Sequence, residues 1–468
     1  MVFLLEAKDA EEWGYRGEGA ANVVMGYRGT SPEFVGKVLR VKKASPDKPN
    51  HSSSEKSAPL LSVEEQVLWS ELQELVSSNS KEILAQGYAQ HVIGPLLGSD
   101  HVDPGTLVCV SKEFLEALDQ NIYKKRPEWR IRDTRINLQS GYALLMSDHA
   151  TFSQGLDGAA PCISVEIKPK CGFLPCSSFI SSENHLKRLV SRFAMHQHLK
   201  LSQQEVASIS KYCPIDLFSE SRDRIHQAIG GLLEIPQNNL WIFLNGSLIF
   251  GGLGGYAEEG LLNGSITEQA VQNLEDILEN VMTCQKGEQM TCFKDLITES
   301  ILETRMLSKL LAVQKMDLYD IEGAIHEYFN IIRKPCQICT CSSDESDNQM
   351  HNHIHDYFTS LSLEESRRIV CDFLVATTAK DCSLMLTFQP VNHDGTNVNS
   401  SDVNNMMHFT ATKQTFRFKA YYVDLDLKRL EKLIHYYKLD QKIVSIYTRM
   451  QGTNGSSNHE DSKMCEPV

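Results

Sequence analysis

The sequence predicts an α+β fold built from antiparallel sheets and helices. Residues 13–42 alternate between apolar and polar side chains like three short strands, joined by Gly-rich and Ser-Pro turns. A hairpin is predicted at 240–251, where two apolar runs flank Asn245 and Gly246, the strongest short-range hairpin signal. Apolar residues at helical spacing predict helices over 292–314, 318–332 and 362–378.

The same patterns divide the chain into two lobes and a tail. Residues 1–150 are the predicted N-terminal lobe, which contains a flexible Ser/Pro/Lys-rich insertion at 44–60 and a helix that starts at Ser62. Residues 151–450 are the predicted C-terminal lobe, and residues 451–468 are a predicted disordered tail. Further predicted elements are strands over 13–16, 22–27, 34–41, 141–147, 383–388 and 416–427 and helices over 111–118 and 428–447.

Composition narrows the function classes. The 468-residue chain has a formal charge of −14, which argues against DNA or RNA as the main partner because nucleic-acid affinity comes largely from neutralised phosphates. No apolar run approaches the roughly 20 residues that cross a bilayer, and the 13 cysteines are scattered and odd in number, unlike a secreted disulfide framework. We therefore expect a cytosolic or nuclear monomer without membrane or nucleic-acid partners. Lys and Arg gather in short motifs, and a local basic pocket suits a small polyanion.

The first motif that carries chemistry is the small-residue turn GEGAAN at 17–22, between two predicted strands. Small residues let backbone amides approach phosphate oxygens closely. Arg40 lies on the next predicted strand, where its cation could reach the same phosphates. An ordinary hairpin turn is the alternative, because a lone Gly-x-Gly is a weak signal.

Two lysines come together in SVEIKPK at 164–170. Alternation along a strand places Glu166, Lys168 and Lys170 on the face opposite the core. Pro169 removes a ladder donor, which places this strand at an edge or at the mouth of a site. Two lysines so close on one face repel each other unless an anion lies between them. A solvated basic edge strand is the alternative.

A third group of cations lies on the predicted helix RFAMHQHLK at 192–200. Arg192, His196 and Lys200 are four residues apart and therefore stack on one helical face. Such a like-charged stripe is unfavourable unless something negative neutralises it. A plain exposed face is the alternative.

The end of the chain alternates polar and apolar residues from Asp424 to Lys428. Asp424 and Asp426 are paired carboxylates at a strand end, which suit magnesium because this ion prefers oxygen ligands and bridges nucleotide phosphates. Lys428, Lys432 and Tyr436 line one side of the helix predicted to follow. A charged strand end with surface ion pairs is the alternative.

Asp381 starts another predicted buried strand. A carboxylate at this position could accept a hydroxyl proton or hold a metal ion. Capping of the strand end is the alternative.

A Cys-x-x-Cys pair, Cys336 and Cys339, has histidines on both sides: His326 before it and the loop at 350–355 after it. This donor set fits tetrahedral zinc, and the thiolate ligands favour a closed structural site. Within the loop we expect His355 to be the fourth ligand, because it lies next to the following helix. Free thiols on a mobile loop, or a zinc-dependent interaction protein, are the alternatives.

Five motifs follow one another along the chain: EIKPK at 166–170, RFAMHQHLK at 192–200, YCPIDLFS at 212–219, AKDCS at 379–383 and DLDLK at 424–428. Together they resemble the inositol-pentakisphosphate 2-kinase family, in particular its plant branch, which carries the Cys-x-x-Cys zinc site. The resemblance implies a two-lobed fold distantly similar to protein kinases, with ATP between the lobes. It also implies transfer of the γ-phosphate to the axial 2-hydroxyl of inositol 1,3,4,5,6-pentakisphosphate, giving the hexakisphosphate, phytate.

Carried over by position, the resemblance implies a role for individual residues. Asp381 would be the acid nearest the attacking hydroxyl, Lys168 would assist it, and Asp424 would bind magnesium. The nucleotide contacts would be Glu18, Gly19, Ala20, Ala21, Asn22, Arg40, Asp148 and His149. The inositol phosphates would be held by Arg130, Lys168, Lys170, His196, Lys200, Asn238, Lys428, Lys432 and Tyr436.

Two positions depart from the family pattern. Lys432 stands where relatives usually have Arg, so a bidentate phosphate contact becomes a point charge. Trp241 stands where relatives carry an Arg that contacts the nucleotide. The main alternative function is a non-catalytic inositol polyphosphate-binding protein. Asp381 and Asp424 discriminate, because acids beside a polyanion weaken binding unless metal or proton transfer requires them.

Overall fold

The structure of the chain is a computed structural model that describes residues 3–45, 60–152, 160–252, 261–262, 265–338, 357, 360–391 and 406–454. Residues 46–59 of the predicted insertion, Cys339, His355 and residues 455–468 of the predicted tail lie outside the described residues. Helices and strands both recur throughout the described ranges, so the predicted α+β class is confirmed.

The described residues form fifteen strands in three sheets, together with α-helices and short 3-10 turns. The strands are β1 (Leu4–Leu5), β2 (Trp13–Glu18), β3 (Asn22–Tyr27), β4 (Lys37–Ala44), β5 (Thr106–Val110), β6 (Arg135–Ile136), β7 (Tyr142–Ser147), β8 (Ile163–Ile167), β9 (Leu240–Leu244), β10 (Ser247–Gly251), β11 (Leu261–Leu262), β12 (Ser265–Ile266), β13 (Ser383–Pro390), β14 (Met406–Phe409) and β15 (Gln414–Val423). The helices are α1 (Val63–Leu68), α2 (Gln73–Val76), α3 (Lys81–Tyr88), α4 (Gly94–Leu97), α5 (Lys112–Ile122), α6 (Glu128–Asp133), α7 (Arg192–Ser202), α8 (Pro214–Leu217), α9 (Arg222–Glu234), α10 (Glu268–Glu279), α11 (Gln289–Thr304), α12 (Met306–Gln314), α13 (Asp320–Ile331), α14 (Leu363–Ala379) and α15 (Leu433–Asn454).

The first sheet runs in the order β1-β5-β7-β4-β3-β2, with β6 paired to β4. β2, β3 and β4 form the predicted antiparallel set, but β1 pairs with β5 in parallel, so this sheet is mixed rather than antiparallel as predicted. Alternate residues of the strands, such as Val23, Met25 and Val41, turn inward and pack with α5 side chains such as Phe114. This packing forms the smaller of the two main cores.

The second sheet runs in the order β10-β9-β8-β13-β15-β14, and every neighbouring pair is antiparallel. The predicted hairpin at 240–251 is confirmed as β9 and β10. Its two-residue turn has φ of 49° at Asn245 and 74° at Gly246, as a tight hairpin turn requires. Val165 and Leu386 belong to the face that packs with the surrounding helices in the larger core.

Helices α1 to α4 come early in the chain but pack with its later elements. The buried side chains of residues 61–102 belong to the larger core, and the Tyr88 and Thr378 hydroxyls are hydrogen-bonded at 3.1 Å. The buried Glu65 carboxylate in α1 accepts hydrogen bonds from Arg429 at 2.8 and 2.6 Å. These helices fall within the predicted N-terminal lobe, whose limits stay a prediction.

The predicted helix over 292–314 is two helices, α11 and α12. Arg305 lies between them with φ of 51°, a left-handed conformation that a right-handed helix does not contain. Helical periodicity continues across the break, so the pattern alone gave no sign of it.

The predicted strand over 416–427 ends earlier, at Val423, because Asp424 has φ of 61°. The helix predicted from 428 starts at Leu433, and it continues to Asn454, so the predicted tail begins inside a helix. No helix within the described ranges combines the length and the apolar character that a membrane span requires.

Candidate active site

The second sheet carries a polar face opposite its core face. Along β8, Val165 and Ile167 are buried in the core, so Glu166 projects from the other face. Lys168 and Pro169 follow the end of β8. Because β8 lies between β9 and β13, it is an interior strand, and the predicted edge position is wrong. Pro169 instead comes where the strand opens into the site, the other position that the sequence allowed.

The chain that leaves the first sheet after β7 lies on this polar face. The Thr387 hydroxyl donates to the His149 carbonyl at 2.5 Å, and the Lys419 ammonium donates to the Asp148 carbonyl at 2.7 Å. The His149 ring stacks on Tyr421 with the ring centroids 3.9 Å apart. Asp148 and His149, two of the predicted nucleotide-binding residues, therefore lie where the two sheets meet.

Arg16 in β2 holds the same junction from the side of the first sheet. Its guanidinium binds the Asp148 carboxylate at 2.7 Å and donates to the Asn245 carbonyl at 3.4 Å. A Cβ on Gly246 would lie 2.3 Å from Arg16 Nη1 and would displace this guanidinium, and the positive φ of the residue also favours glycine. The Asp148 side chain is thus occupied by an ion pair.

Asp381 lies among three ammonium groups. Its Oδ1 is 3.2 Å from Lys168 Nζ and 3.6 Å from Lys170 Nζ, and its Oδ2 is 2.7 Å from Lys428 Nζ. Burial alone would raise the pKa of the Asp381 carboxyl, but the positive charges, led by Lys428, outweigh burial and hold the pKa well below its usual range. The side chain is 46% exposed, so the cluster is open on one side. The three lysines and the acid are all predicted site residues.

The basic side chains next to Asp381 lower one another's pKa values. Burial, followed by the positive charge of Lys168, lowers the pKa of Lys170 to about 8, and Lys200 contributes to this. Burial, followed by the charges of Arg192 and Lys200, lowers the pKa of His196 to about 3. Such crowding of positive charge, which leaves the His196 imidazole neutral, forms a site that an added polyanion would stabilise.

Tyr436 adjoins this group, and Asn238 precedes Asn239, whose carbonyl accepts the Lys168 N–H at 2.9 Å. Burial raises the pKa of Tyr436, with Lys428 opposing and Asp381 adding to the shift, so the phenol lies near both. Asn238 Oδ1 is buried and has no hydrogen-bond partner among the described residues. Lys432 is exposed in a 3-10 turn before α15. Since Lys428 precedes that turn, the predicted single helical face with Lys428, Lys432 and Tyr436 is wrong.

Glu166 lies close to Asp424 on the polar face. The pKa of Glu166 is raised to about 7, first by burial and then by the neighbouring Asp424 carboxylate. Two carboxylates that repel each other, one on the sheet and one on the exposed Asp424, are the kind of oxygen donors that magnesium favours. The sequence grouped Glu166 with the lysines, and its pairing with Asp424 was not predicted.

The small-residue turn between β2 and β3 presents backbone to solvent. Gly19, Ala20 and Ala21 are exposed, and the Gly19 N–H donates to the Asn22 carbonyl at 3.0 Å. A turn without bulky side chains leaves room for a phosphate group to approach the amides of this loop.

Glu18 points its carboxylate elsewhere. The carboxylate is buried and binds Arg126 at 2.8 and 2.9 Å and Lys43 at 2.6 Å, so its side chain is occupied within the first sheet. Arg130 lies beside this group: burial lowers the pKa of its guanidinium, the Glu18 charge opposes this, and the guanidinium packs over the Trp129 ring at 4.0 Å. Glu18 can therefore contact a nucleotide only through its backbone.

Asp426 connects the two sheets. Its Oδ2 is 2.6 Å from Arg40 Nη2 and 3.1 Å from Asn22 Nδ2, and its Oδ1 is 3.7 Å from Lys42 Nζ. Arg40 and Asn22 are two of the predicted nucleotide contacts. The Asp426 carboxylate therefore binds the polar groups that the sequence predicts to contact nucleotide phosphates.

Half of the predicted zinc site lies within the described residues. Cys336 Sγ and His326 Nδ1 are 3.3 Å apart, and two such ligands of one tetrahedral zinc ion would lie about 3.5 Å apart. The pair therefore fits two positions of a zinc site. Cys339 and His355 lie outside the described residues, and the zinc site stays a prediction.

Several residues of this region were not predicted. Lys419 and Tyr421 could have been found, because they alternate with the buried Ala420 in β15 and so fall on the polar face. Arg16 and Lys42 gave no local signal, since their acidic partners lie far away in the sequence.

Comparison with known proteins gives a consistent result. The family model described as inositol-pentakisphosphate 2-kinase matches residues 15–442. The inositol-pentakisphosphate 2-kinase of Arabidopsis thaliana is 44% identical over 452 residues, which cover 96% of each chain. The inositol-pentakisphosphate 2-kinase of Oryza sativa subsp. indica is 43% identical over 467 residues, which cover 100% of each chain. The enzyme of that name from Danio rerio is 30% identical over 513 aligned positions, which cover 98% of each chain.

The match covers the first sheet except β1 and the start of β2, the whole second sheet, the connection between them and the Asp381 cluster. It includes all five motifs that carried the resemblance. Relatives from two plants align over almost the whole chain at more than 40% identity. The chain belongs to the inositol-pentakisphosphate 2-kinase family.

Proposed function

We propose that this chain phosphorylates inositol 1,3,4,5,6-pentakisphosphate at its 2-hydroxyl with ATP and releases inositol hexakisphosphate. The observation that carries the proposal is the open cluster of Lys168, Lys170 and Lys428 around Asp381. In a family named for this reaction, three ammonium groups around one half-exposed acid suit a small ring that bears five phosphates. A non-catalytic binding protein is not favoured, because Asp381 and Asp424 would only weaken the binding of a polyanion.

The substrate phosphates compete with Asp381 for the ammonium groups. Without substrate, each of the three lysines is within 3.6 Å of the carboxylate. Phosphate oxygens that take over these contacts carry more negative charge than one carboxylate does. The remaining substrate contacts are proposed for Arg130, His196, Lys200, Asn238, Lys432 and Tyr436.

Asp381 then acts as the acceptor of the hydroxyl proton. The lysines hold its pKa low, so it is a weak base before substrate binds. Once substrate phosphates neutralise those charges, its pKa rises toward the ordinary range and its basicity increases. The 2-hydroxyl oxygen forms a bond to the γ-phosphorus, its proton passes to Asp381, and the bond to the β–γ bridging oxygen breaks. ADP leaves with that electron pair.

The nucleotide is proposed to lie between the two sheets, as in a two-lobed kinase-like fold. The exposed turn of Gly19, Ala20 and Ala21 supplies backbone donors for its phosphates. Arg40 supplies the positive charge and exchanges its contact with Asp426 for a contact with phosphate. Glu18 contributes its backbone, and Asn22 contributes its side-chain amide. The backbone of Asp148 and His149 contacts the adenine. Lys419 and Thr387 donate hydrogen bonds to the two carbonyls and so hold this backbone in place.

Asp424 and Glu166 are the residues that would hold magnesium. The raised pKa of Glu166 beside Asp424 fits this role, because a divalent cation would relieve their repulsion. When bound, the ion would neutralise negative charge on the transferred phosphate.

The proposed zinc site of His326, Cys336, Cys339 and His355 is structural. Cys336→Ser is expected to reduce the zinc content and the melting temperature while leaving the turnover of the folded enzyme nearly unchanged, because thiolate ligands favour a closed structural site rather than a catalytic one. Zinc is measured by elemental analysis and melting by calorimetry. The exposed Cys176→Ser is the control. Unchanged zinc content and melting in Cys336→Ser would refute the site.

The decisive experiment supplies γ-labelled ATP, magnesium and inositol pentakisphosphate and locates the new phosphate on the product. Label at position 2 of the hexakisphosphate is expected. A folded protein that binds the pentakisphosphate but transfers no label would favour the binding-protein alternative. We also propose a cytosolic or nuclear monomer, for which sedimentation should give the mass of one chain.

A further inference from the structure

Two buried glutamines lie next to two proposed substrate-binding residues. Gln197 follows His196 in α7, and Gln237 precedes Asn238. Their side-chain amides exchange two hydrogen bonds: Gln197 Nε2 donates to Gln237 Oε1 at 2.9 Å, and Gln237 Nε2 donates to Gln197 Oε1 at 2.7 Å. Because each amide is both donor and acceptor, the pair fixes the distance and the relative orientation of the two segments.

The same amides hold the loop that follows α7. Gln197 Oε1 also accepts the Ser210 N–H at 3.3 Å, and Gln237 Nε2 also donates to the Ser208 carbonyl at 3.2 Å. The two glutamines are only 1% and 3% exposed, so the loss of one leaves a buried polar group without its hydrogen-bond partner. The pair is therefore the junction of three segments.

The turn that carries Asn238 is attached on its other side to the lysine cluster. The Asn239 N–H closes the turn on the Pro236 carbonyl at 2.8 Å, and the Asn239 carbonyl accepts the Lys168 N–H at 2.9 Å. Asn238 therefore lies between a contact to α7, made by Gln237, and a contact to the end of β8, made by Asn239. Its Oδ1 is buried without a hydrogen-bond partner among the described residues.

The backbone at Gln237 indicates that its side chain is needed. Its φ is 45°, in the left-handed region that is unfavourable for residues with a Cβ and that Gly or Asn usually occupies. The amide exchange with Gln197 holds the turn in this conformation. The backbone conformation of this turn would favour Gly or Asn, so the presence of glutamine is explained by the hydrogen bonds of its side-chain amide.

We propose that Gln197 and Gln237 are positioning residues, which hold the turn that carries Asn238 against α7, the helix of His196 and Lys200, so that the Asn238 amide can bind a substrate phosphate. This inference rests on the proposed function. Neither glutamine touches the substrate, and both act through the residues next to them. A small displacement of the turn then weakens substrate binding, because such contacts depend on placement to within about 1 Å.

The test uses Gln197→Met, Gln237→Met and the double variant, since methionine has nearly the shape of glutamine. Each single variant leaves the other glutamine without its amide partner, so that it keeps only its contact with Ser208 or Ser210. The double variant removes both side-chain amides and should recover part of the melting temperature. In all three, the KM for inositol pentakisphosphate is expected to rise about tenfold, with the KM for ATP unchanged. Ile122→Val in the first core is the control for a stability loss far from the site.

A double variant with the wild-type KM for the pentakisphosphate would overturn the inference, as would an equal rise in both KM values. Calorimetric titration with the pentakisphosphate separates this inference from the proposed function. If the wild type binds but makes no product, and the variants bind about tenfold more weakly, positioning stands and the kinase function fails. If the wild type neither binds nor reacts, both fail.

Discussion

Two ionic clusters of this protein are opposite in charge and differ in exposure. In one, Lys187 Nζ binds three carboxylates: Glu322 at 2.9 Å, Asp440 at 2.7 Å, and Asp320. In the other, Asp381 binds three lysine ammonium groups. Each cluster has one central charge and three of the opposite sign, and each joins segments that are distant in the sequence.

Exposure separates the two. The Lys187 side chain is 4% exposed, whereas the Asp381 side chain is 46% exposed. Burial alone would lower the pKa of Lys187, but the carboxylates, led by Asp320, hold the pKa well above its usual range. This closed cluster, Lys187 with its three carboxylates, fixes α13 and α15 against the turn that carries Lys187. The open cluster leaves its central carboxylate half-exposed, so exposure rather than charge count distinguishes the closed cluster from the proposed substrate site.

Asp381→Asn should produce the largest effect, and it tests the open cluster. We expect kcat to fall by about 10²- to 10⁴-fold, because the amide cannot accept the hydroxyl proton. The melting temperature should change little, since the site is half-exposed. The measurement is steady-state kinetics together with thermal unfolding. Asp295→Asn, which disturbs a surface ion pair with Arg222, is the control, and a near-normal kcat for Asp381→Asn would contradict the proposed chemistry.

Lys187→Met should break the closed cluster and reduce stability instead of turnover. Removing the cation leaves three carboxylates together in a buried place, and we expect a loss of about 3–5 kcal/mol in the free energy of unfolding. Urea unfolding measures this. Lys211→Met removes an exposed pair with Glu234 and should cost about 1 kcal/mol or less. Equal losses of unfolding free energy in the two variants would show that burial of the Lys187 cluster adds nothing to stability.

Lys170 gives the open cluster a dependence on pH. Burial, followed by the charge of Lys168, lowers the pKa of Lys170 to about 8. Bound phosphates would raise this pKa, so substrate binding above pH 8 takes up a proton. Affinity for the pentakisphosphate should therefore be full below pH 8 and fall as the pH rises through 8, by at most about tenfold per pH unit. Lys170→Arg should remove this component, because arginine stays charged. Calorimetric titrations of both proteins across this range provide the measurement, and identical pH profiles would exclude Lys170 as the source.

Asp426 should give the smallest effect, because it is intermediate in exposure at 31%. In Asp426→Asn the cations Arg40 and Lys42 lose a competing carboxylate, so the KM for ATP should fall by about two- to fivefold. The fall should shrink at high salt. A raised KM for ATP would show that Asp426 supports the nucleotide site and does not compete for it.

Local patterns predicted the elements that build the site. Alternation in β3 and β8 and the Asn245-Gly246 turn gave strands whose positions the structure confirms. The cations of the open cluster could be identified because Lys168 and Lys170 lie in one motif and Lys428 ends another. Their meeting at Asp381 followed from the family resemblance, since no local pattern relates these segments.

The closed cluster could not be predicted in the same way. Lys187, Asp320 and Asp440 come from three separate segments, and each alone resembles an ordinary surface charge. The breaks at Arg305 and Asp424 were missed for a related reason: both side chains continue the apolar–polar pattern while the backbone turns left-handed. Sequence periodicity reports which face a residue takes, not where tertiary contacts interrupt a regular backbone.

Helices α1 to α4 separate β4 from β5 along the chain, yet their buried residues belong to the larger core. The smaller core is therefore built from two stretches of chain, one before α1 and one after α4. The segment between these stretches packs in the larger core. Melting of the larger core would release this segment and remove the constraint that brings the two stretches together. Thermal denaturation should accordingly be one cooperative transition, and a fragment that stops at residue 150 would present the apolar faces of α1 to α4 to solvent and aggregate.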